Sequence, residues 1–134
     1  MRKILFSLLT CGIILLGCTK DTDNNASIVG TWNVNMITSQ FYLNNVLQGS
    51  DTTTQGSVEF DSNGSFTSMD SSGTTTGTYM YNASSKELTV ISGSDTSNAT
   101  VTNLTSNNLH IKQDETQSVG GATIRVTSDA DYSR

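Results

Sequence analysis

The chain has 134 residues, a formal charge of −5 and no proline. Its 7 Lys and Arg are scattered and outnumbered by 12 Asp and Glu. That balance excludes the clustered cations that nucleic-acid binding needs and suggests a soluble, anionic domain. The length suits one domain with a single core.

The first element is a leader. Arg2 and Lys3 precede an apolar run from Ile4 to Leu16. A charged start, an apolar centre and a small residue before a cut describe an export signal. At about 13 residues the run falls short of the roughly 20 that span a bilayer. It ends in Leu15-Leu16-Gly17-Cys18, which resembles the lipobox of bacterial lipoproteins. That resemblance implies cleavage before Cys18 and acylation of Cys18, a stable anchor once two or more chains are attached. A secretory signal cut elsewhere is the alternative. Cys11 follows Thr10 after too short an apolar run and would leave with the leader. The mature chain then keeps one cysteine, so disulfide, thiolate and cysteine–metal chemistry are not expected. Loss of Arg2 and Lys3 takes the formal charge from −5 to −7.

Residues 1–17 are thus read as signal peptide, 18–27 as lipidated cysteine and flexible tether, and 28–134 as the folded domain. Thr19 to Asn25 are polar and charged, as a solvated tether requires. Lys20-Asp21 with Asp23 is similar to the surface-export signal of certain Gram-negative lipoproteins. The expected place is the outer membrane, lipid-anchored and exposed at the cell surface or, alternatively, on the periplasmic leaflet.

Beyond Ile28 the dominant signal is alternation of apolar with polar residues, the period of a half-buried strand. Trp32, Val34 and Met36 share one face of the first strand. Phe41-Tyr42-Leu43 and Val46-Leu47 flank Asn44-Asn45, a pair that tolerates positive φ and can turn a hairpin. Val58 and Phe60 precede Asp61-Ser62-Asn63-Gly64, and Phe66 and Met69 follow it, the clearest hairpin of the chain. Thr76 to Tyr81 form a strand with Tyr79 and Tyr81 on one face. Glu87 to Ile91 follow with Leu88 and Val90, then Asn98 to Thr102 with Ala99 and Val101 inward. Leu109 and Ile111 alternate around His110. Gln113 to Gly121 read as a loose connection, and Ala122 to Thr127 as the last strand. Eight or more short strands with regular turns and no amphipathic helix fit an all-β fold, either an antiparallel up-and-down barrel of about eight strands or a β-sandwich.

The Gly30-Thr31-Trp32 start resembles the lipocalin opening motif. The order that follows is similar to the small bacterial lipocalin-like domain family: Val58-x-Phe60, Asn63-Gly64-Ser65-Phe66, Gly77-Thr78-Tyr79, Leu88-Thr89-Val90, then Leu109-His110-Ile111. The resemblance implies a small antiparallel barrel whose floor is closed by Trp32 under an arginine from near the end of the barrel. Arg125, in the last expected strand, is matched to that arginine.

No enzyme is legible. His110, the sole histidine, alternates with inward residues and should face outward, with no ligand partners at zinc or catalytic spacing. Asp61 to Gly64 resemble the start of a calcium loop but lack its further ligands. Phosphate-binding glycine motifs are absent, so no cofactor or metal is expected. Two functions remain. One is an envelope binding module that meets a protein or glycan. The alternative is a carrier of a small hydrophobic ligand, lined by Val34, Met36, Val58, Phe60, Phe66, Tyr79, Tyr81, Leu88, Val90, Val101 and Ile111, which are equally the expected core. A carrier calls for an apolar cavity of about 300 Å³ or more.

Overall fold

A computed structural model describes residues 26–134. The leader, the Cys18 lipidation site and most of the tether lie outside the described residues. Among the described residues no helix is long and apolar enough to cross a membrane.

The described residues form nine strands: β1 (Gly30–Leu43), β2 (Val46–Thr53), β3 (Ser57–Phe60), β4 (Ser65–Asp70), β5 (Gly73–Asn82), β6 (Glu87–Ser92), β7 (Asp95–Leu104), β8 (Asn108–Val119) and β9 (Ala122–Ser133). Neighbours pair antiparallel in the order β2-β1-β3-β4-β5-β6-β7-β8-β9, and β9 pairs back onto β1. The result is a closed eight-stranded barrel with β2 as an extra strand. Closure leaves the barrel strands no free edge in its lower part.

The turns follow from the residues that tolerate left-handed backbone. Asn44 and Asn45, with φ of 49° and 65°, join β1 to β2. Gly120 and Gly121, with φ of 58° and 83°, join β8 to β9. Both pairs suit the turn whose twist matches a hairpin.

β1 is shared between two partners. Gly30 to Asn33 pair with β3, and Ile37 to Leu43 pair with β2. On the other side, β7 stops pairing with β8 at Lys112, while β8 and β9 stay paired to Val119 and Ala122. The distal halves of β1, β9 and β8, with β2, therefore rise beyond the barrel as a four-stranded apron. The segment from Gln113 to Val119 is part of this apron, not a loose connection. It carries polar side chains on both faces, so the apolar period that marks a strand is missing, yet its backbone pairs fully with β9.

Side chains of Trp32, Val58, Phe60, Phe66, Leu88, Val101 and Leu109, with Ile28, form the buried core. Trp32 is fully buried at the closed end, and its indole N–H donates to the Ile28 carbonyl at 2.8 Å. Phe60 and Tyr79 pack edge to face with ring centroids 4.8 Å apart, a geometry that ring quadrupoles favour.

Met36 departs from the expected alternation. The register of β1 against β9 slips at Asn35, between Val34↔Tyr132 and Met36↔Asp131. One extra residue reverses the faces. Met36 is therefore on the outside, 47% exposed, and Ile37 takes the inward position opposite Ala130.

Candidate functional site

The two ends of the barrel differ. The closed end is sealed by Trp32 and by Arg134, whose guanidinium carbon lies 4.1 Å from the indole ring centroid. Arg134 also donates to the carbonyls of Ser106, Val29 and Ser27, at 2.6, 2.9 and 3.3 Å. Gly30 leaves the room: a Cβ there would meet Arg134 Nη1 at 2.6 Å. The arginine over the tryptophan is thus Arg134, not Arg125. Arg125 is in the apron, opposite Tyr42 on β1, and so far along β9 that it cannot reach the floor. It stands 5.6 Å from the Tyr42 ring centroid and donates to both carboxylate oxygens of Asp114. That pair holds the Asp114 carboxyl below the usual range, chiefly through the hydrogen bond.

The other end is open. A cleft of about 220 Å³ lies between the core and the mouth. Val58, Phe60, Phe66, Leu88, Val90 and Ile111 contribute its apolar lining, and Ser68, Ser97, Ala99, Gln113 and Tyr132 complete it. Of the other positions expected inside, Val101 is buried beneath the cleft, and Val34, Tyr79 and Tyr81 are half-buried. Burial raises the hydroxyl pKa of Tyr132, Tyr79 and Tyr81 above the ordinary tyrosine range, with Asp61 adding to the rise at Tyr79. The Tyr79 hydroxyl donates to the Asp61 carbonyl at 2.8 Å, which ties it to the β3–β4 turn.

The inner face continues from the cleft onto the apron. Ser39, Ser128 and Gln113 form one cross-strand row, and Phe41, Val126 and Glu115 form the next. Phe41 and Val126 are 41% and 40% exposed. They line a second, shallower groove of about 400 Å³ against Gly49 and Asp51 of β2. At the junction the Gln113 amide donates to Ser97 Oγ at 2.5 Å, and Ser97 Oγ donates to Glu115 Oε1 at 3.0 Å. Nothing in the residue pattern marks this junction, because Glu115 sits in the segment without apolar alternation.

His110 is on the outer face, as its alternation requires. The structure nevertheless supplies partners that spacing does not reveal. A bulge in β7 at Thr102 brings its Oγ1 to 2.5 Å from His110 Nδ1. His110 Nε2 lies 2.5 Å from Asp129 Oδ1 and 3.8 Å from Asp131 Oδ1. The imidazole and the two carboxylates are close enough to share a cation. Lys112 Nζ already sits 3.1 Å from Asp129 Oδ2, so that carboxylate has a cationic partner without a metal. The His110 hydrogen bond, the largest cause, holds the Asp129 carboxyl below its usual range.

The family model described as a lipocalin-like domain matches residues 28–111. The chain belongs to the lipocalin-like domain family. The matched segment runs from the core residue Ile28 through β1 to the first residues of β8. The rest of β8 and all of β9, which complete the barrel and half of the apron, follow it in the chain. No curated protein and no solved structure matches the chain.

Proposed function

We propose that this lipocalin-like barrel is a non-catalytic binding module of the cell envelope that receives an apolar group at its open end. The observation that carries the reading is the contrast between the two ends. Trp32 and Arg134 seal one, whereas the other leads from an apolar cleft to the exposed Phe41 and Val126. The cleft is smaller than the roughly 300 Å³ of an ordinary ligand pocket. It would enclose one part of a ligand and leave the remainder on the apron.

The leader and Cys18 support anchoring to a membrane by acyl chains, on the outer membrane. The first described residues lie at the closed end, so a tether of this kind would leave the mouth directed away from the lipid. Non-catalytic action is supported by the position of His110, which is on the outer face against two aspartates, on the other side of the sheet from the cleft.

The second reading, a carrier of a small hydrophobic ligand, has the apolar lining in its favour, but the cleft falls short of the cavity of about 300 Å³ that a carrier calls for. In both readings the same end of the barrel binds, and they differ in whether the apolar group is free or belongs to an envelope protein or glycan. The nine strands and the core of the described residues lie within residues 28–134, so the domain from Ala26 to Arg134 is the unit for the test. Native mass spectrometry of that domain, incubated with envelope extract in detergent-free buffer, should show a defined adduct. A small adduct of fixed mass identifies a carrier. A protein- or glycan-sized adduct identifies the interaction module. The bare protein mass after incubation, together with no binding of 1-octanol, would overturn both.

A further inference from the structure

We infer that the ligand of the open end carries a cationic head beside its apolar body, with Glu115 as the counter-ion; this rests on the binding reading above and adds the head-group chemistry.

A carboxylate stands at the junction between cleft and apron. Gln113 and Ser97 line the cleft, and Ser97 Oγ donates to one oxygen of Glu115. The Asn98 backbone N–H points at that same oxygen, at 3.4 Å. Glu115 is thus held at the mouth by donors to Oε1, and it is half-buried on the inner face, in the row of Phe41 and Val126. A ligand that places an apolar body in the cleft brings its head group to this carboxylate.

The sign of charge around the mouth is uniform. Asp51, opposite Ser39, lines the shallow groove beside Phe41. Asp95 begins β7 on the inward-facing alternation of Ser97 and Ala99. Among the described residues the cations are Lys86, Lys112, Arg125 and Arg134, and none lies on this inner face. Lys112 and Arg125 pair with Asp129 and Asp114 on the outside. Arg134 seals the floor, and Lys86 is in the β5–β6 turn at the same closed end. A mouth lined by one sign of charge over a low-dielectric floor concentrates ligands of the opposite sign. An anionic head would meet carboxylates with no cation to receive it.

Three probes with one apolar body separate the contributions: octylammonium, 1-octanol and octanoate, titrated calorimetrically into the Ala26–Arg134 domain at neutral pH and low salt. Octylammonium should bind about tenfold tighter than octanoate, the sum of a partly exposed attraction for one and repulsion for the other. Glu115→Gln should shrink that ratio to about twofold, and Asp51→Asn should shrink it less. Octanoate binding as tightly as octylammonium, or a ratio unchanged in both variants, would overturn the cationic head while the apolar site stands. Absence of binding by all three probes would overturn the site itself. If Glu115→Gln unfolds the domain, Asp51→Asn and the loss of the ratio in high salt carry the test.

Discussion

The Arg134 guanidinium lies 4.1 Å from the centre of the Trp32 ring and ties the end of β9 to the entry of β1, through the Ser27 and Val29 carbonyls, and to the β7–β8 turn, through the Ser106 carbonyl. A cation over an indole contributes about 0.5–2 kcal/mol, and hydrogen bonds from a charged donor add to it. Arg134→Ala should therefore lower stability by about 1–3 kcal/mol in urea unfolding followed by Trp32 fluorescence. Gly30→Ala should produce the same defect by another route, since its Cβ would displace the guanidinium and its φ of 127° disfavours a side chain. Arg125→Ala should leave the Trp32 signal of the folded protein unchanged, because Arg125 contacts Tyr42 and Asp114 instead.

Two glycines make a matched pair of packing tests. A Cβ on Gly77 would collide with the Ile91 carbonyl oxygen and stand 2.7 Å from Phe66 Cε1. Backbone on one side and a buried ring on the other leave nothing that can swing away. Gly77→Ala should cost at least about 2 kcal/mol by overpacking. A Cβ on Gly49 of β2 would meet nothing within 4 Å. Gly49→Ala should stabilise by about 0.5 kcal/mol, because glycine inside a strand loses more chain entropy on folding than alanine. Thermal unfolding of both variants gives the contrast directly.

The barrel itself is legible in the sequence because its lower strands face water on one side and core on the other. Val58, Phe60, Phe66, Leu88, Val101 and Leu109 alternate with polar residues, and all are buried. The turns at Asn44-Asn45 and Asn63-Gly64 are legible for a different reason, the left-handed backbone of Asn44, Asn45 and Gly64. The apron is legible only in part, at the Asn44-Asn45 hairpin and in the strand from Ala122 to Thr127. Its strands meet solvent on both faces, so β2 and the distal half of β8 are specified by backbone pairing rather than by an apolar period. Met36 escapes the alternation because a bulge leaves no mark in composition: Asn35 looks like any outward residue until its register against β9 is known. Arg125 suits the floor only if the last strand ends near Thr127; the strand runs on to Ser133 and brings Arg134 there instead.

Stability should fall at both ends of the pH scale for identifiable reasons. The His110 hydrogen bond holds the Asp129 carboxyl below its ordinary value. A depressed carboxyl stabilises the fold above its unfolded pKa, about 4, and that contribution is lost as pH falls through the lower folded value. Asp129 is 48% exposed, so screening limits the effect to below about 1 kcal/mol. Tyr132 behaves in the opposite sense. Burial raises its folded pKa, so its contribution is complete below about pH 10 and is lost as pH rises through the folded value. In denaturation curves taken across pH, Asp129→Asn should flatten part of the acid limb, with Asp70 and Asp114 sustaining the rest. Tyr132→Phe should flatten the alkaline limb and leave the acid limb as it was.

Binding and folding can be separated at the mouth by choosing between two phenylalanines. Phe60 lines the cleft, but it is only 3% exposed and packs against the Tyr79 ring. Phe60→Ala should cost about 3–5 kcal/mol, so any loss of binding in that variant would be confounded with loss of structure. Phe41 sits on the apron at 41% exposure, away from the buried core cluster. Phe41→Ser should change stability by less than about 1 kcal/mol, as surface substitutions outside packed regions do. It removes the largest apolar side chain of the groove that receives the exposed part of a ligand. Octanol affinity, measured by calorimetry at matched protein stability, should therefore drop several-fold, within the roughly tenfold that 1.4 kcal/mol of lost apolar contact allows. Unchanged octanol affinity in Phe41→Ser would confine binding to the inner cleft and remove the apron from the site.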